Sequence, residues 1–270
     1  MRSTQFIADM VRKATGASYP AVSDRIVKES SLPLPTLDEQ CRIAAILDKA
    51  NALREISQSR VGLFEALIET AFGESFGGRN WPVEPLGSLT MIVDCPHSTP
   101  RWTESGEVCV RTSNLQRGSW DWSDQRYVSP ADYVIRSQRG EARPGDIVLS
   151  REGTVGVAAI VEDGMRLCMG QRLVQVRTLE PLMPQYTLRF LLKALDPKRI
   201  EHVMVGSTAR HLNVKDLRAL PIPVPPLKLQ KEFEGKVERI VSLRKSACQS
   251  TSQMNRLFAS LQSGAFSGQR

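Results

Sequence analysis

The chain contains one segment twice. Residues 32–40 read LPLPTLDEQ and residues 222–230 read IPVPPLKLQ, in register without a gap. Pro33, Pro35, Leu37 and Gln40 fall on Pro223, Pro225, Leu227 and Gln230, each 190 residues on (223 − 33 = 190). The register extends both ways: Gly16 matches Gly206, Leu53-Arg54 match Leu243-Arg244, and Phe76 and Gly78 match Phe266 and Gly268. A spacing of this size is too long for a stacked solenoid. It describes one large module with the same connector at either end.

Both connectors read as helices. In the first, Ile43, Ile46, Leu47, Ala50, Leu53, Val61, Phe64, Leu67, Ile68 and Ala71 recur at three- and four-residue steps. Thr36 is a plausible N-cap, Asp38-Glu39 suit a helix N-terminus, and Gly77-Gly78 end the run. Phe233, Val237, Ile240, Leu243, Met254, Leu257, Phe258 and Leu261 repeat the pattern, ended by Gly264 and Gly268. Each helix spans about 35–40 residues, or ~55 Å at 1.5 Å per residue. Helices that long need a partner, and the nearest is the other copy. The expectation is an antiparallel coiled-coil pair in which Leu47, Leu53, Phe64, Leu67, Val237, Leu243, Met254 and Leu257 are buried. The prolines before each helix, Pro33 and Pro35, then Pro221, Pro223, Pro225 and Pro226, impose extended backbone there.

Residues 81–220 have another character. Short strand signals lie at Glu107–Val110, Asp146–Leu149, Val155–Val161 and Leu173–Val176, divided by turns such as Pro144-Gly145-Asp146, Glu152-Gly153 and Asp163-Gly164. Leu188–Leu195 with its flanks and Val214–Leu220 read as helices. The fold class is therefore α+β: one domain of mixed short strands and helices, flanked by two long helices.

Composition narrows the function. Apolar content of 41% and charged content of 24% suit a globular protein, and no apolar run approaches the ~20 residues of a membrane span. The opening MRSTQFIADMVRKA lacks the apolar core of a secretory signal. Five scattered cysteines (41, 95, 109, 168 and 248) without a CxxC pair read as reduced thiols of a cytoplasmic protein. The net charge of +7 favours an acidic partner, nucleic acid first. The middle module is nearly balanced, with eighteen basic and sixteen acidic residues, but fifteen of those eighteen are arginine. Arginine's planar fork suits phosphates and guanine edges, although a GC-rich genome would give the same excess.

No catalytic signature is present. There is no P-loop, HExxH or GxSxG, and Gly153-Thr154-Val155-Gly156 is not a dinucleotide turn. Cys95-Pro96-His97 lacks a second ligand pair for a metal. The distinctive feature is a set of polar, arginine-bearing turns: HSTPRW (97–102), RTSN (111–114), SREGT (150–154), GQR (170–172) and GSTARHLN (206–213). Their side chains are those that contact base edges and phosphates, although solvated turns use them too. The candidate DNA-contacting residues are Arg101, Trp102, Arg111, Thr112, Asn114, Arg151, Thr154, Gln171, Arg172, Arg210 and His211.

The runs VRTSNLQRGSWDWSDQRYVSPADY, RPGDIVLSREGTVGVAAIV and GQRLVQVR, with GSTARHLNVKDLRALPIPVPPLKLQ at the close, resemble the target recognition domain of type I restriction–modification specificity subunits. The resemblance covers nearly the whole chain. It implies the tail of a truncated first recognition domain at 1–35, a long connector helix at 36–80, one complete recognition domain at 81–220, and a Pro linker with a second connector helix at 221–270. The family's usual subunit has two recognition domains, so this chain resembles its C-terminal portion. By implication the chain is not an enzyme. It binds double-stranded DNA, reads a half-site and docks methyltransferase subunits, which use S-adenosylmethionine, and restriction subunits, which use ATP. A second specificity chain, or a second copy of this one, would supply the other half-site. No NPPY-type methyltransferase motif occurs. The alternative is a truncated interaction scaffold without specific DNA binding of its own.

Overall fold

The computed structural model describes residues 4–16, 21–30, 36–196 and 212–267. The chain divides into two compact units, residues 1–67 with 240–270, and residues 68–239.

The first unit is helical. It contains α1 (Thr4–Lys13), α2 (Asp24–Lys28), most of α3 (Leu37–Phe76) and the later part of α7 (Leu227–Ser267). The repeat is visible in the elements. α3 and α7 begin 190 residues apart (227 − 37 = 190), with 40 and 41 residues. Ser23 caps α2 as Asn213, 190 residues later, caps α6 (Val214–Ala219), each side chain accepting from a backbone N–H of the first turn. Pro33 and Pro35 lie outside the described residues.

Two contacts fix how α3 and α7 meet in this unit. Ser57 and Thr251 share a hydroxyl hydrogen bond of 2.7 Å, and the Arg54 guanidinium lies 4.6 Å from the Phe258 ring centre. One step back along α3 is matched by a step forward along α7, so the helices run antiparallel. Half-buried positions of α3 include Ile43, Leu47, Ala50, Arg54, Ser57 and Phe64, and those of α7 include Arg244, Ala247, Thr251, Met254, Phe258 and Leu261. These recur at alternating steps of three and four and include hydroxyls and guanidiniums. The expected wholly apolar stripe is therefore corrected. Leu53, Leu67, Leu243 and Leu257 are 53%, 48%, 60% and 58% exposed. Leu53, Leu243 and Leu257 each lie one residue, or about 100° of helix, from a seam position. Ile46, Ile56 and Leu63 share this exposure.

The second unit holds the sheets. β2 (Thr90–Asp94), β9 (Leu173–Thr178), β6 (Ile147–Ser150) and β7 (Ala158–Ile160) form an antiparallel sheet in that order. A second sheet orders β3 (Trp102–Thr103), β5 (Tyr127–Val128), β4 (Glu107–Val110) and β8 (Leu167–Met169), with β4 and β8 parallel. The strand expected over 155–161 is shorter. At Gly156 the backbone is left-handed (φ 86°) and passes against the Leu195 carbonyl, where a side chain would collide, so the chain turns before β7. Val148, Ala159, Val161, Leu167, Leu173 and Leu115 form a buried core beneath Trp120 and Trp122. α4 (Pro130–Ser137) and α5 (Pro184–Ala194) complete the unit, each with proline in its first turn.

β1 (Val83–Pro85) pairs with β10 (Pro221–Pro223) at the point where the proline motif enters α7. A two-stranded edge tolerates the missing proline N–H groups, and Leu220 O and Val224 N bond on either side of them. Beside it, Phe72 and Phe76 of α3 meet Tyr186 of α5 and Phe233 of α7, with ring centres 4.8–5.7 Å apart. Val237 is buried in this same unit. The repeat's Gln230 is fully buried. Its amide donates to Pro181 O and Pro225 O and accepts from Met183 N. Arg117 joins Glu69 of α3 to Asp196 and Leu192 O. Among the described residues no helix is long and apolar enough to cross a membrane, and no cluster of His, Cys, Asp and Glu could hold a metal.

Candidate nucleic-acid interface

The polar turns lie at strand ends, and the sheets bring distant ones together. Asp94 ends β2, Ser150 ends β6, and Gly170–Arg172 join β8 to β9. Arg151 sits among them, 5% exposed. Its Nε is 3.3 Å from Asp94 Oδ1, and its Nη2 is 3.4 Å from His97 Nδ1 and 3.5 Å from Glu152 Oε1. Its backbone N–H donates to Arg172 O, and its carbonyl accepts from Leu212 N. Gln171 Nε2 donates to His97 O at 2.8 Å. Four turns distant in sequence thus form one cluster.

A second cluster lies on the other sheet. Asn114 is 2% exposed and closes the turn Thr112–Asn114. Its Oδ1 accepts from Arg111 N, and its Nδ2 donates to Asp121 O and Asp124 O. Arg111 Nη2 donates to the Asp124 carboxylate at 2.7 Å, which holds that carboxyl below the ordinary carboxylate range. Trp102 has the Arg111 and Arg126 guanidiniums within 5.7 Å of its ring centre. The clusters are joined. Arg136, buried in α4, donates to Met169 O and Ser98 O, and Gly170 N donates to Val110 O.

This sorts the expected residues. Arg101, Thr154 and Arg172 are exposed, and Trp102, Arg111, Thr112 and Gln171 are half-buried. Asn114 and Arg151 are corrected from ligand-facing to internal: both are buried and bound to protein groups that shape the turns. Arg210 and His211 lie outside the described residues. Sequence reasoning missed Asp94, Asp124, Arg126 and Arg136, which bind or flank the cluster arginines. Cys95 is a core residue: it is fully buried, burial pushes its thiol up, and Leu173 N donates to its sulfur. His97 next to it faces outward with its ring against Asp94. The exposed guanidiniums of Arg101, Arg126 and Arg172 on polar turns can meet phosphate oxygens.

Residues 134–237 match the type I restriction modification DNA specificity domain. Among curated proteins, the chain is 22% identical to the MjaVIII specificity subunit of Methanocaldococcus jannaschii over 84% of its own length and 59% of that protein. It is 22% identical to the EcoKI specificity subunit of Escherichia coli over 88% and 57%. The chain thus spans about three-fifths of these relatives' length. Among solved structures, it resembles a chain of a type I R-M system (TM-score 0.63, 23% identity, 97% of this chain and 67% of that one). It also resembles the HsdS subunit of Thermoanaerobacter tengcongensis (TM-score 0.51, 24% identity, 100% and 68%). Residues 134–237 thus carry a type I restriction modification DNA specificity domain, within a unit whose arginine-bearing turns gather on two joined sheets, and the chain as a whole is similar to HsdS-type specificity subunits.

Proposed function

We propose that this chain is the non-catalytic DNA-recognition subunit of a type I restriction–modification complex. Unit 68–239 reads a half-site of duplex DNA through its joined turns. The long helices hold methyltransferase subunits, which bring S-adenosylmethionine, and restriction subunits, which bring ATP. The complex works in the cytoplasm, where the chromosome is accessible. The observation that carries this reading is the coincidence of two facts. The matched DNA specificity domain covers α4 to the start of α7, and the turns gathered within the same unit carry exposed guanidiniums on a frame of buried ones. Arg101, Arg126 and Arg172, with Thr154, are the side chains presented to DNA, whereas Asn114 and Arg151 shape the turns.

The test is methylome sequencing of a host that makes this chain with its methyltransferase subunit. One defined adenine- or cytosine-modified sequence, absent without this chain, is expected. Modification that does not depend on this chain, together with no salt-dependent binding to duplex DNA, would reduce it to an interaction scaffold.

A further inference from the structure

Arg172 is, among the described residues, the one non-glycine residue with left-handed backbone, at φ 67°. Glycine or asparagine occupies that region with little strain, whereas a long side chain does so at a cost. The ion pair with Glu152 does not offset the strain. It spans 3.6 Å, and the Arg172 side chain is 62% exposed, so solvent screens it. The conformation is imposed from below, because the Arg172 carbonyl is held by the backbone N–H of buried Arg151. That residue's guanidinium is held in turn by Asp94, His97 and Glu152.

We propose that Arg172 is a phosphate-contacting residue of the DNA interface, and that Arg151 is its positioning residue. This deepens the DNA-binding reading and rests on it. The geometry favours phosphate over base. The Gly170–Arg172 connection is only three residues between β8 and β9. With its backbone fixed in so short a turn, the exposed guanidinium is presented at the surface, where phosphate oxygens take charge-assisted bonds. Strain held at an exposed cation is what a preset ligand contact requires.

The test uses the full chain and a random-sequence duplex, with affinity measured across a salt series and thermal midpoint measured alongside. Arg172→Gly relieves the backbone and removes the cation. The midpoint should rise by roughly 2–4 °C, while affinity falls about tenfold and the slope of log affinity against log salt loses about 0.9. Arg151→Lys keeps a charge but lacks the planar fork whose separate nitrogens reach Asp94, His97 and Glu152. It should weaken binding in the single variant and add little to Arg172→Gly, because both act through one contact. An unchanged salt slope in Arg172→Gly would overturn the contact, and additive losses in the double variant would overturn the positioning role. No binding by the unaltered chain would overturn the DNA-binding reading itself, and this assignment with it.

Discussion

Asn114 shows what a residue type says and what it withholds. The sequence marks it as a polar turn residue beside arginine, which is correct. It does not show that the Asp121 and Asp124 carbonyls, several residues on, curl back to take both amide hydrogens. The same holds for Arg151, whose Asp94 and His97 partners are more than fifty residues away in the chain. Arginine in a turn is equally at home facing solvent or spanning two strands, and only the tertiary pairing decides. Asn114→Ala would leave the Arg111 N–H and the Asp121 carbonyl without their side-chain partner, so a loss of about 1–3 kcal/mol in urea unfolding is expected. Asp124 offers a second check. Its carboxyl is depressed by the hydrogen bond from Arg111, so the pair contributes fully above the ordinary carboxylate value of 3.8 and is lost as pH falls through the lowered one. Carboxyl titration by NMR should find Asp124 below that ordinary value, and Arg111→Gln should return it upward.

The long elements were legible and the short ones were not. α3 and α7 announce themselves by caps, glycines and length, and β4 and α6 are found where strand and helix signals place them. β3 and β5 have two residues each, too few to show any period, and they exist because β5 pairs with β4 on one side and with β3 on the other. The helix stripe was found but its seam was misread. A list of apolar residues at three- and four-residue steps merges two neighbouring faces. Only one of those faces, through Leu47, Arg54, Ser57 and Phe64, is half-buried. The two faces predict different energetics. Leu53→Ala, on the exposed face, should change stability by less than about 0.5 kcal/mol in urea unfolding. Phe233→Ala opens a hole among Phe72, Phe76 and Tyr186 and should cost about 3–5 kcal/mol. A Leu53 loss as large as that of Phe233 would mean that a partner covers the first face.

At the scale of the molecule, under the proposed function, the repeat is the feature on which target symmetry turns. The described residues form one sheet-bearing unit and two long helices, so they present one set of arginine-bearing turns to the proposed target. If the functional complex contains two copies of this chain, a two-fold axis relates their sites, and the modified sequence must be palindromic about its spacer. If it contains one copy beside a different specificity chain, the two halves differ and the site is asymmetric. Copy number and target symmetry are therefore one prediction with two independent readouts. Native mass measurement of the complex with methyltransferase subunits gives the first, and methylation mapping gives the second. Two copies with a palindrome, or one copy plus a second specificity chain with an asymmetric site, are the consistent pairs. An asymmetric two-part site modified by a complex in which this chain, in one copy, is the sole specificity polypeptide would show that residues 68–239 do not read a single half-site.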